Sequence, residues 1–173
     1  MKNILLLTLS FIIFSCGSDK NREIALDYYG KGCYEMEKKN YTKAIEYFKE
    51  SLEYDPENYA TYNQLGNCYD YTNQFDDATE CYLKSLQIKE NAIAYNNLGN
   101  AYTNSSDYTK AEEMYKKAID LDPKYSPPLY NLGKLLIFIK REKEGIEYIK
   151  RAAALTYKPA QRFLKEYYGK WLI

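Results

Sequence analysis

Apolar and polar positions recur along this chain of 173 residues with a period of 33–34. The clearest unit carries aromatic and small residues in a fixed order: Tyr95, Leu98, Gly99, Tyr102, Ala111, Tyr115, Ala118 and Pro123. The unit before it repeats most of that order with Tyr62, Leu65, Gly66, Tyr69, Ala78, Tyr82 and Ser85. The helical spacing within each unit predicts a pair of amphipathic helices. Self-similarity at this period is typical of a stacked array of helical repeats.

The unit at 92–125 resembles the tetratricopeptide repeat (TPR), whose pattern is an aromatic residue, Leu-Gly, Tyr, Ala, a second aromatic residue, a small residue and Pro. The resemblance implies an all-α fold, namely a right-handed superhelical solenoid of about four TPR helical hairpins plus a C-terminal capping helix. In such a hairpin, Gly99 and Ala111 let two backbones approach closely, and Ala118 lets the second helix pack against the next repeat. The resemblance also implies a binding scaffold.

Four repeats are expected, at residues 25–58, 59–91, 92–125 and 126–158, followed by a capping helix at 159–173. The first repeat departs from the family pattern, as terminal repeats usually do. Helix starts are expected at the N-caps Asn58, Asp76, Asn91 and Ser126 and at a capping box over Thr109–Glu112. The last helix should cover the open end of the fourth repeat with Phe163, Leu164, Tyr167, Tyr168 and Trp171.

The N-terminus carries a separate signal. A short positive start precedes an apolar run from Ile4 to Phe14, which is too short to span a bilayer and has the length of a signal-peptide core. With Ser15 before Cys16, the end of the run resembles a bacterial lipoprotein signal. That resemblance implies a signal peptide at 1–15, lipidation of Cys16 and a short tether over 16–22. An ordinary secretory signal and an uncleaved anchor remain alternatives.

The amino-acid composition argues against several classes of function. The chain has no His, which removes the commonest general base and metal ligand, and its four Cys form neither a CxxC motif nor a zinc spacing. A net charge of zero argues against nucleic-acid binding. Charge is nonetheless uneven: residues 21–125 hold 12 basic and 19 acidic side chains, net −7, whereas residues 126–173 hold 10 and 4, net +6. We therefore expect no enzyme, no metal and no cofactor.

In the TPR family the first helix of each repeat lines a concave groove. The positions that correspond here are Tyr29 with Gly30 and Cys33, then Asn63, Gln64 and Asn67, then Asn96, Asn97 and Asn100, and finally Tyr130, Asn131 and Lys134. Gln64, Asn97 and Asn131 occupy equivalent places and would form a ladder of amides, each with donors and an acceptor for a peptide backbone. Solvated amides without a ligand are the plain alternative. The basic residues of a carboxylate-clamp TPR are missing, which disfavours that mode.

Two functions follow as hypotheses. The first is a non-enzymatic adaptor, lipid-anchored in the bacterial envelope with the outer membrane preferred, that binds an extended peptide or a partner protein in the concave TPR groove. The second is a structural assembly factor of an envelope complex, pilotin-like or barrel-assembly-like, that contacts its partners by the convex face or the ends. An apolar patch at Ile137 and Phe138 and the uneven distribution of charge along the chain would support the second hypothesis. A deeply buried helix is the other interpretation of that apolar run.

Overall fold

The structure is a computed structural model that describes the backbone of residues 2–169 and the side chains of residues 19–167. Over that range the chain forms helices and no strand, so the predicted all-α fold class is confirmed. The helices are α1 (Lys2–Glu37), α2 (Tyr41–Tyr54), α3 (Tyr59–Tyr71), α4 (Phe75–Ile88), α5 (Ala92–Asn104), α6 (Tyr108–Leu121), α7 (Ser126–Phe138), α8 (Glu142–Ala154) and α9 (Lys158–Gly169). They divide into two compact units, Met1–Gln74 and Phe75–Ile173.

The first unit packs α2 between α1 and α3. The α1–α2 contact is close because Gly32 has no side chain: a Cβ there would lie 2.6 Å from the ring of the fully buried Phe48. The buried Ser51 hydroxyl donates a 2.8 Å hydrogen bond to the carbonyl oxygen of Ala25, which joins the same two helices at a second point. Small residues thus set the helix spacing, and an aromatic ring fills the space that they leave.

The second unit stacks α4 to α9, each helix against the next in the chain, and α5 also contacts α7. Gly99 and Gly133 allow close helix contact in the same way as Gly32. A Cβ added at Gly99 would lie 2.6 Å from Tyr115, and one added at Gly133 would lie 2.5 Å from Ile149. The buried core runs from α6 to α9 and consists of Ala111, Tyr115, Ile119, Leu129, Leu132, Leu135, Leu136, Ile149, Ala152 and Ala160. In each of these close pairs the glycine and its partner are sixteen residues apart, which is the spacing that the repeat pattern predicts.

Two of the expected N-caps are confirmed. Asn58 accepts a hydrogen bond from the backbone N–H of Thr61 at 3.1 Å, and Asn91 accepts one from Ala94 at 2.8 Å. Three expected helix starts are wrong by one or two residues. Asp76 lies inside α4, Asp107 rather than Thr109 caps α6, and Ser126 is the first residue of α7 with Tyr125 before it. Side-chain oxygens at neighbouring positions compete for the same orphan N–H groups, and sequence alone does not decide between them.

Within residues 2–169, five turns use a residue in the left-handed conformation: Lys39, Asn73, Ser106, Lys140 and Thr156, with φ from 60° to 69°. None of these residues is Gly, although the conformation favours it. After each turn residue, the next backbone N–H bonds a carbonyl five positions back, as from Asp107 to Tyr102 at 2.8 Å. The same turn follows α1, α3, α5, α7 and α8. The first four of these turns each join the two helices of a hairpin, and the fifth joins α8 to α9 in the same way.

Helix α1 is longer than the first repeat requires. The segment 16–22, expected to be a tether, lies within α1 as continuous helix, since it contains no Pro to end one. The Cys16 side chain lies outside the described side chains. Among the described residues, no helix combines the length and the apolar character needed to cross a membrane.

Helix α9 covers the end of the second unit. It packs against α8, with Ala160 fully buried and Phe163 and Leu164 half-buried against the core. The expected cap at 159–173 extends past the described residues, and the side chains of Tyr168 and Trp171 lie outside them. The division of the chain into four repeats stays a prediction, because the boundary between the two compact units falls inside the expected second repeat, 59–91.

Candidate functional site

The predicted groove residues of the second unit meet in a hydrogen-bonded asparagine cluster between α5 and α7. Asn131 on α7 donates both hydrogens of its amide group to α5: to Asn96 Oδ1 at 3.0 Å and to Asn100 Oδ1 at 3.1 Å. Asn96, only 4% exposed, donates in turn to Asn97 Oδ1 at 3.2 Å. All four asparagines come from the predicted set, and together they join two consecutive inner helices.

Tyr115 extends the cluster to α6. Its hydroxyl donates to Asn100 Oδ1 at 2.8 Å and lies 3.1 Å from the Thr103 hydroxyl. Asn100 Oδ1 thus accepts from both Tyr115 and Asn131, and it joins three helices at one atom. Sequence reasoning assigned Tyr115 to packing alone; the pattern gave no sign of where its hydroxyl would point.

This geometry changes the expected ladder. Asn131 was expected to align with Asn97 and offer its whole amide to a ligand; instead its donors are engaged with Asn96 and Asn100. Two polar atoms of the cluster make no hydrogen bond within the described part of the chain: Asn131 Oδ1, an acceptor, and Asn100 Nδ2, a donor. Both side chains are half-buried, and neither atom is among the fully buried unpaired ones, so both reach solvent. The cluster therefore offers one acceptor and one donor.

The predicted groove residues of the first unit also lie close together. Asn67 on α3 donates to Gln64 Oε1 at 2.9 Å. Burial and the nearby Cys33 thiol raise the pKa of the Tyr29 hydroxyl, while a hydrogen bond that the Gln64 amide donates to the Tyr29 oxygen opposes the rise. Gln64 thus contacts α1 in the way that Asn131 contacts α5. Asn63 is 8% exposed, and its Oδ1 has no hydrogen-bond partner among the described residues.

Tyr130 on α7 lines a cavity of about 270 Å³ between α7 and α9, and Lys134 follows it one helical turn later. The Lys134 ammonium lies 5.7 Å from the centroid of the Tyr130 ring. Burial and the neighbouring Tyr157 hydroxyl raise the pKa of Tyr130. The cavity is lined by Tyr130, Pro159, Arg162, Phe163 and Glu166. Arg162 and Glu166 were not predicted as site residues, because only the packing of α9 brings them next to α7.

The outer side of α6 carries a second depression, which an ion-pair network occupies. Arg141 contacts Glu112 at 2.5 Å and Glu144 at 2.6 Å, and Lys116 contacts Glu112 at 2.6 Å. Burial raises the pKa of Glu112, but the hydrogen bonds from Lys116 and Arg141 outweigh it and leave that pKa lowered. The charges satisfy each other, so this depression is better explained as a link between α6 and α8 than as a ligand site.

The cysteines show no metal or disulfide chemistry in the part of the chain that is described. Cys33, Cys68 and Cys81 form no disulfide, and no group of three or more metal-ligating side chains occurs among the described residues. Burial, with a smaller effect from Cys33, raises the pKa of the Cys68 thiol to about 12. Because the thiolate is the reactive form, Cys68 is inert at neutral pH.

Solved structures with this arrangement come from several proteins. MamA protein matches at 26% identity with a TM-score of 0.69, over 80% of this chain and 77% of that one. The structure of pilF from Pseudomonas aeruginosa matches at 25% identity with a TM-score of 0.71, over 80% of this chain and 63% of that one. The first TPR domain of Spaghetti (RPAP3), bound to an HSP90 peptide, matches at 19% identity with a TM-score of 0.66, over 69% and 95% of the two chains. No curated protein sequence matches.

Models of one family match three overlapping stretches of the sequence. Tetratricopeptide repeat models match residues 35–101, 92–125 and 114–147. Together they run without a gap from residue 35 to 147, which includes the asparagine cluster. TPR domains are generally non-catalytic modules for protein interaction. The matched stretches, the helical fold and the recurring Gly–aromatic contacts agree: this chain belongs to the tetratricopeptide repeat family.

Proposed function

We propose that this protein is an interaction scaffold that binds an extended peptide segment of a partner protein along α5 and α7. The observation that carries the proposal is the unpaired donor and acceptor on the asparagine cluster, Asn100 Nδ2 and Asn131 Oδ1. A peptide backbone carries one N–H and one C=O per residue, so it can satisfy both atoms. Contacts of this kind hold the main chain and place little demand on side chains.

The network makes such contacts favourable because it fixes the two amides in advance. Asn131 is held by two hydrogen bonds, and Asn100 Oδ1 accepts one of these two and a further one from Tyr115. Neither side chain loses further conformational freedom when a peptide binds, so more of the interaction energy appears as affinity. Exposed Lys134, one helical turn after Tyr130, adds a cation at the edge of the same surface.

In-cell photo-crosslinking tests this proposal. The probe residue replaces Lys134, which is exposed on α7 and makes no ion pair with a described residue, so the asparagine cluster stays intact. The matched control is Lys117 on α6, which is also exposed and forms an ion pair with Glu113 at 2.8 Å. We expect a discrete protein adduct from position 134 and none from position 117. If only position 117, or neither position, gives an adduct, peptide capture by this surface is wrong.

The proposal includes a lipid anchor on Cys16 and a location in the bacterial envelope, with the outer membrane preferred. Its support is the sequence: a positive start, an apolar core of signal-peptide length and Ser15-Cys16 at its end. Two or more acyl chains hold a protein firmly at a membrane, whereas one chain is marginal. The anchor would keep the scaffold beside envelope partners.

The anchor is tested by metabolic labelling with a clickable fatty acid. We expect wild-type protein to be labelled and to fractionate with membranes, and Cys16→Ser to lose the label. Cys33→Ser is the matched control, since Cys33 is a half-buried free thiol in α1. Labelling that survives in Cys16→Ser would place the acyl chain on another residue and exclude this anchor. Wild-type protein without any label would also exclude it and leave an ordinary secretory signal or an uncleaved anchor.

A second candidate function is a structural assembly factor that contacts envelope components through its outer face or ends. One observation favours it: Phe138 at the end of α7 is 64% exposed, and its ring packs edge-on against Tyr108 at 5.4 Å. Ile137, the other residue of the predicted apolar patch, is half-buried, and its Cγ1 would lie 2.7 Å from a Cβ at Gly145. Crosslinks from position 117 without any from position 134 would favour this function.

A further inference from the structure

Two cysteines of the first unit lie on neighbouring helices. Cys33 on α1 is half-buried, and Cys68 on α3 is fully buried. The two helices run in the same direction, because α2 reverses the chain between them through two short turns. Their Cα atoms come within 8 Å of each other. A side chain on α1 can therefore contact a side chain at the same height on α3.

The register between α1 and α3 is fixed by a contact one helical turn earlier. A hydrogen bond joins the Gln64 amide to the Tyr29 oxygen. Cys33 follows Tyr29 by four residues, and Cys68 follows Gln64 by four residues. Residues four apart lie on the same face of a helix, so each cysteine lies one turn beyond a side chain of this contact. The register therefore brings the two thiols next to each other.

The second unit shows the same register. Asn131 on α7 donates to Asn100 Oδ1 on α5 at 3.1 Å, and in the repeat pattern Asn131 corresponds to Gln64 and Asn100 to Cys33. Cys33 is thus placed against α3 between Gln64 and the residue one turn later, Cys68. Burial raises the pKa of the Cys68 thiol to about 12, and the Cys33 thiol adds to the rise, an effect that requires the two groups to be close.

We propose that Cys33 and Cys68 are an oxidisable pair, which a low-molecular-weight disulfide converts into an intramolecular disulfide between α1 and α3. The inference does not depend on the proposed peptide binding. The bond would close a loop that contains all of α2, and such a constraint on the unfolded chain stabilises the fold. Because Cys33 is one of the predicted groove positions, the same bond would make that surface of the first unit depend on the redox state.

The reaction begins at Cys33, the more accessible of the two sulfurs. Burial raises the pKa of its thiol, and a hydrogen bond from the Tyr29 hydroxyl opposes the rise. The Cys33 thiolate attacks one sulfur of glutathione disulfide, breaks its S–S bond and releases one glutathione thiolate. The Cys68 sulfur then loses its proton, attacks the Cys33 sulfur and releases the second glutathione thiolate. The two cysteines are oxidised, and the two released thiolates take up their protons.

Cys68 reacts in the second step although it is inert towards reagents in solution. Its attack is intramolecular, and a nucleophile that is held against its target acts at a very high effective concentration. The order of the steps follows from accessibility: Cys68 is 0% exposed, so a glutathione molecule reaches only Cys33 in the folded chain.

The test is incubation of the folded full-length chain in detergent micelles with glutathione disulfide. Remaining thiols are then blocked with a maleimide in denaturant, and the peptides are mapped by mass spectrometry without reduction. Chymotrypsin, which cuts after Tyr69, separates Cys68 from Cys81. We expect a peptide pair joined through Cys33 and Cys68 in wild type. The matched control is Cys81→Ala, which removes the other buried thiol and should form the same pair.

Single variants separate the two steps. Cys68→Ala lacks the second nucleophile, so glutathione should stay on Cys33 as a mixed disulfide. Cys33→Ser should carry no glutathione at Cys68, which would take up maleimide only after denaturation. Circular dichroism checks that both variants are folded. The maps of wild type and Cys81→Ala decide the proposal by themselves if either variant is not.

Several outcomes overturn the inference. Maleimide on both Cys33 and Cys68 of oxidised wild type, glutathione that stays on Cys33 of wild type, or a bond from Cys68 to Cys81 would each exclude this pair. A disulfide that joins two copies through Cys33 would assign the oxidation to a dimer and also overturn it.

Thermal melts give a second readout. Oxidised wild type should melt at a higher temperature than the same sample after reduction with dithiothreitol. The difference should disappear in Cys33→Ser and persist in Cys81→Ala. A joined pair that lowers the melting temperature would show that α1 and α3 do not fit the bond, and it would reject the proposal.

Discussion

At the scale of single residues, the absence of a side chain at Gly99 is what lets α5 and α6 pack closely against each other. A Cβ there would lie 2.6 Å from Tyr115 Cε1, and the Tyr115 hydroxyl is held by Asn100 and Thr103. The ring cannot move aside without breaking these hydrogen bonds. We expect Gly99→Ala to lower the free energy of unfolding by about 1–3 kcal/mol, and Gly99→Leu to lower it further. Urea denaturation followed by circular dichroism measures both.

Gly30 provides the control, because a Cβ there would meet nothing within 4 Å. Gly30 is exposed inside α1, where Ala is a better helix former by roughly 1 kcal/mol. Gly30→Ala should therefore leave stability unchanged or raise it. Equal effects at both glycines would mean that helix propensity, not the contact with Tyr115, decides the cost.

Asn131 and Lys134 lie on the same helix, but only Asn131 is expected to contribute to the stability of the fold. Asn131→Ala removes both donors to α5 and leaves the buried Asn96 Oδ1 without that partner, which should cost about 1–3 kcal/mol of stability. Lys134→Ala changes an exposed side chain and should alter stability by less than about 0.5 kcal/mol. Thermal melts of the two variants make the comparison. Similar melting temperatures would show that water replaces the Asn131 hydrogen bonds without loss.

Part of the geometry around these residues could be predicted from the sequence. The Leu-Gly pairs and the aromatic residues sixteen positions later follow from the repeat pattern, because close helix contact needs a small residue and a ring to fill the space. The direction of the amides does not follow from it. Whether Asn131 bonds Asn97 or Asn96 depends on the offset between α5 and α7, a distance of a few ångströms that no spacing in the sequence encodes. Arg162 was missed for the same reason.

At the scale of elements, the turns carry strain that the helices tolerate. Thr156, between α8 and α9, has φ of 62°, where a β-branched side chain is disfavoured by roughly 1–2 kcal/mol. Thr156→Gly should raise the free energy of unfolding by about 0.5–1 kcal/mol, since the greater freedom of Gly in the unfolded chain offsets part of the gain. Asn73, with φ of 60°, is the control, because Asn accepts this conformation. An equal gain from Asn73→Gly would contradict this explanation.

The bounds of several helices could be predicted from the sequence to within a residue or two, because a few residue types strongly favour a helix start. Pro, Asn and Asp fix where a helix can start, so Asn58 and Asn91 were found from the sequence. The extent of α1 was not predicted, because residues 16–22 are polar and nothing in a polar segment distinguishes a tether from an exposed helix. Their hydrogen bonds are local in either case, and packing does not decide between them.

At the scale of the whole molecule, the repeat architecture predicts that damage stays local, because each repeat contacts only its neighbours. Gly133→Ala tests this. The new Cβ would lie 2.5 Å from Ile149 Cγ1 and 2.7 Å from the Gly145 carbonyl oxygen, and the backbone of α8 cannot yield as a side chain can. We expect amide hydrogen exchange to rise sharply in α7, α8 and α9. Amides of α1 and α2 should keep their protection, since their core is built on Gly32 and Phe48. Faster exchange throughout the chain would instead show that it unfolds as one cooperative unit.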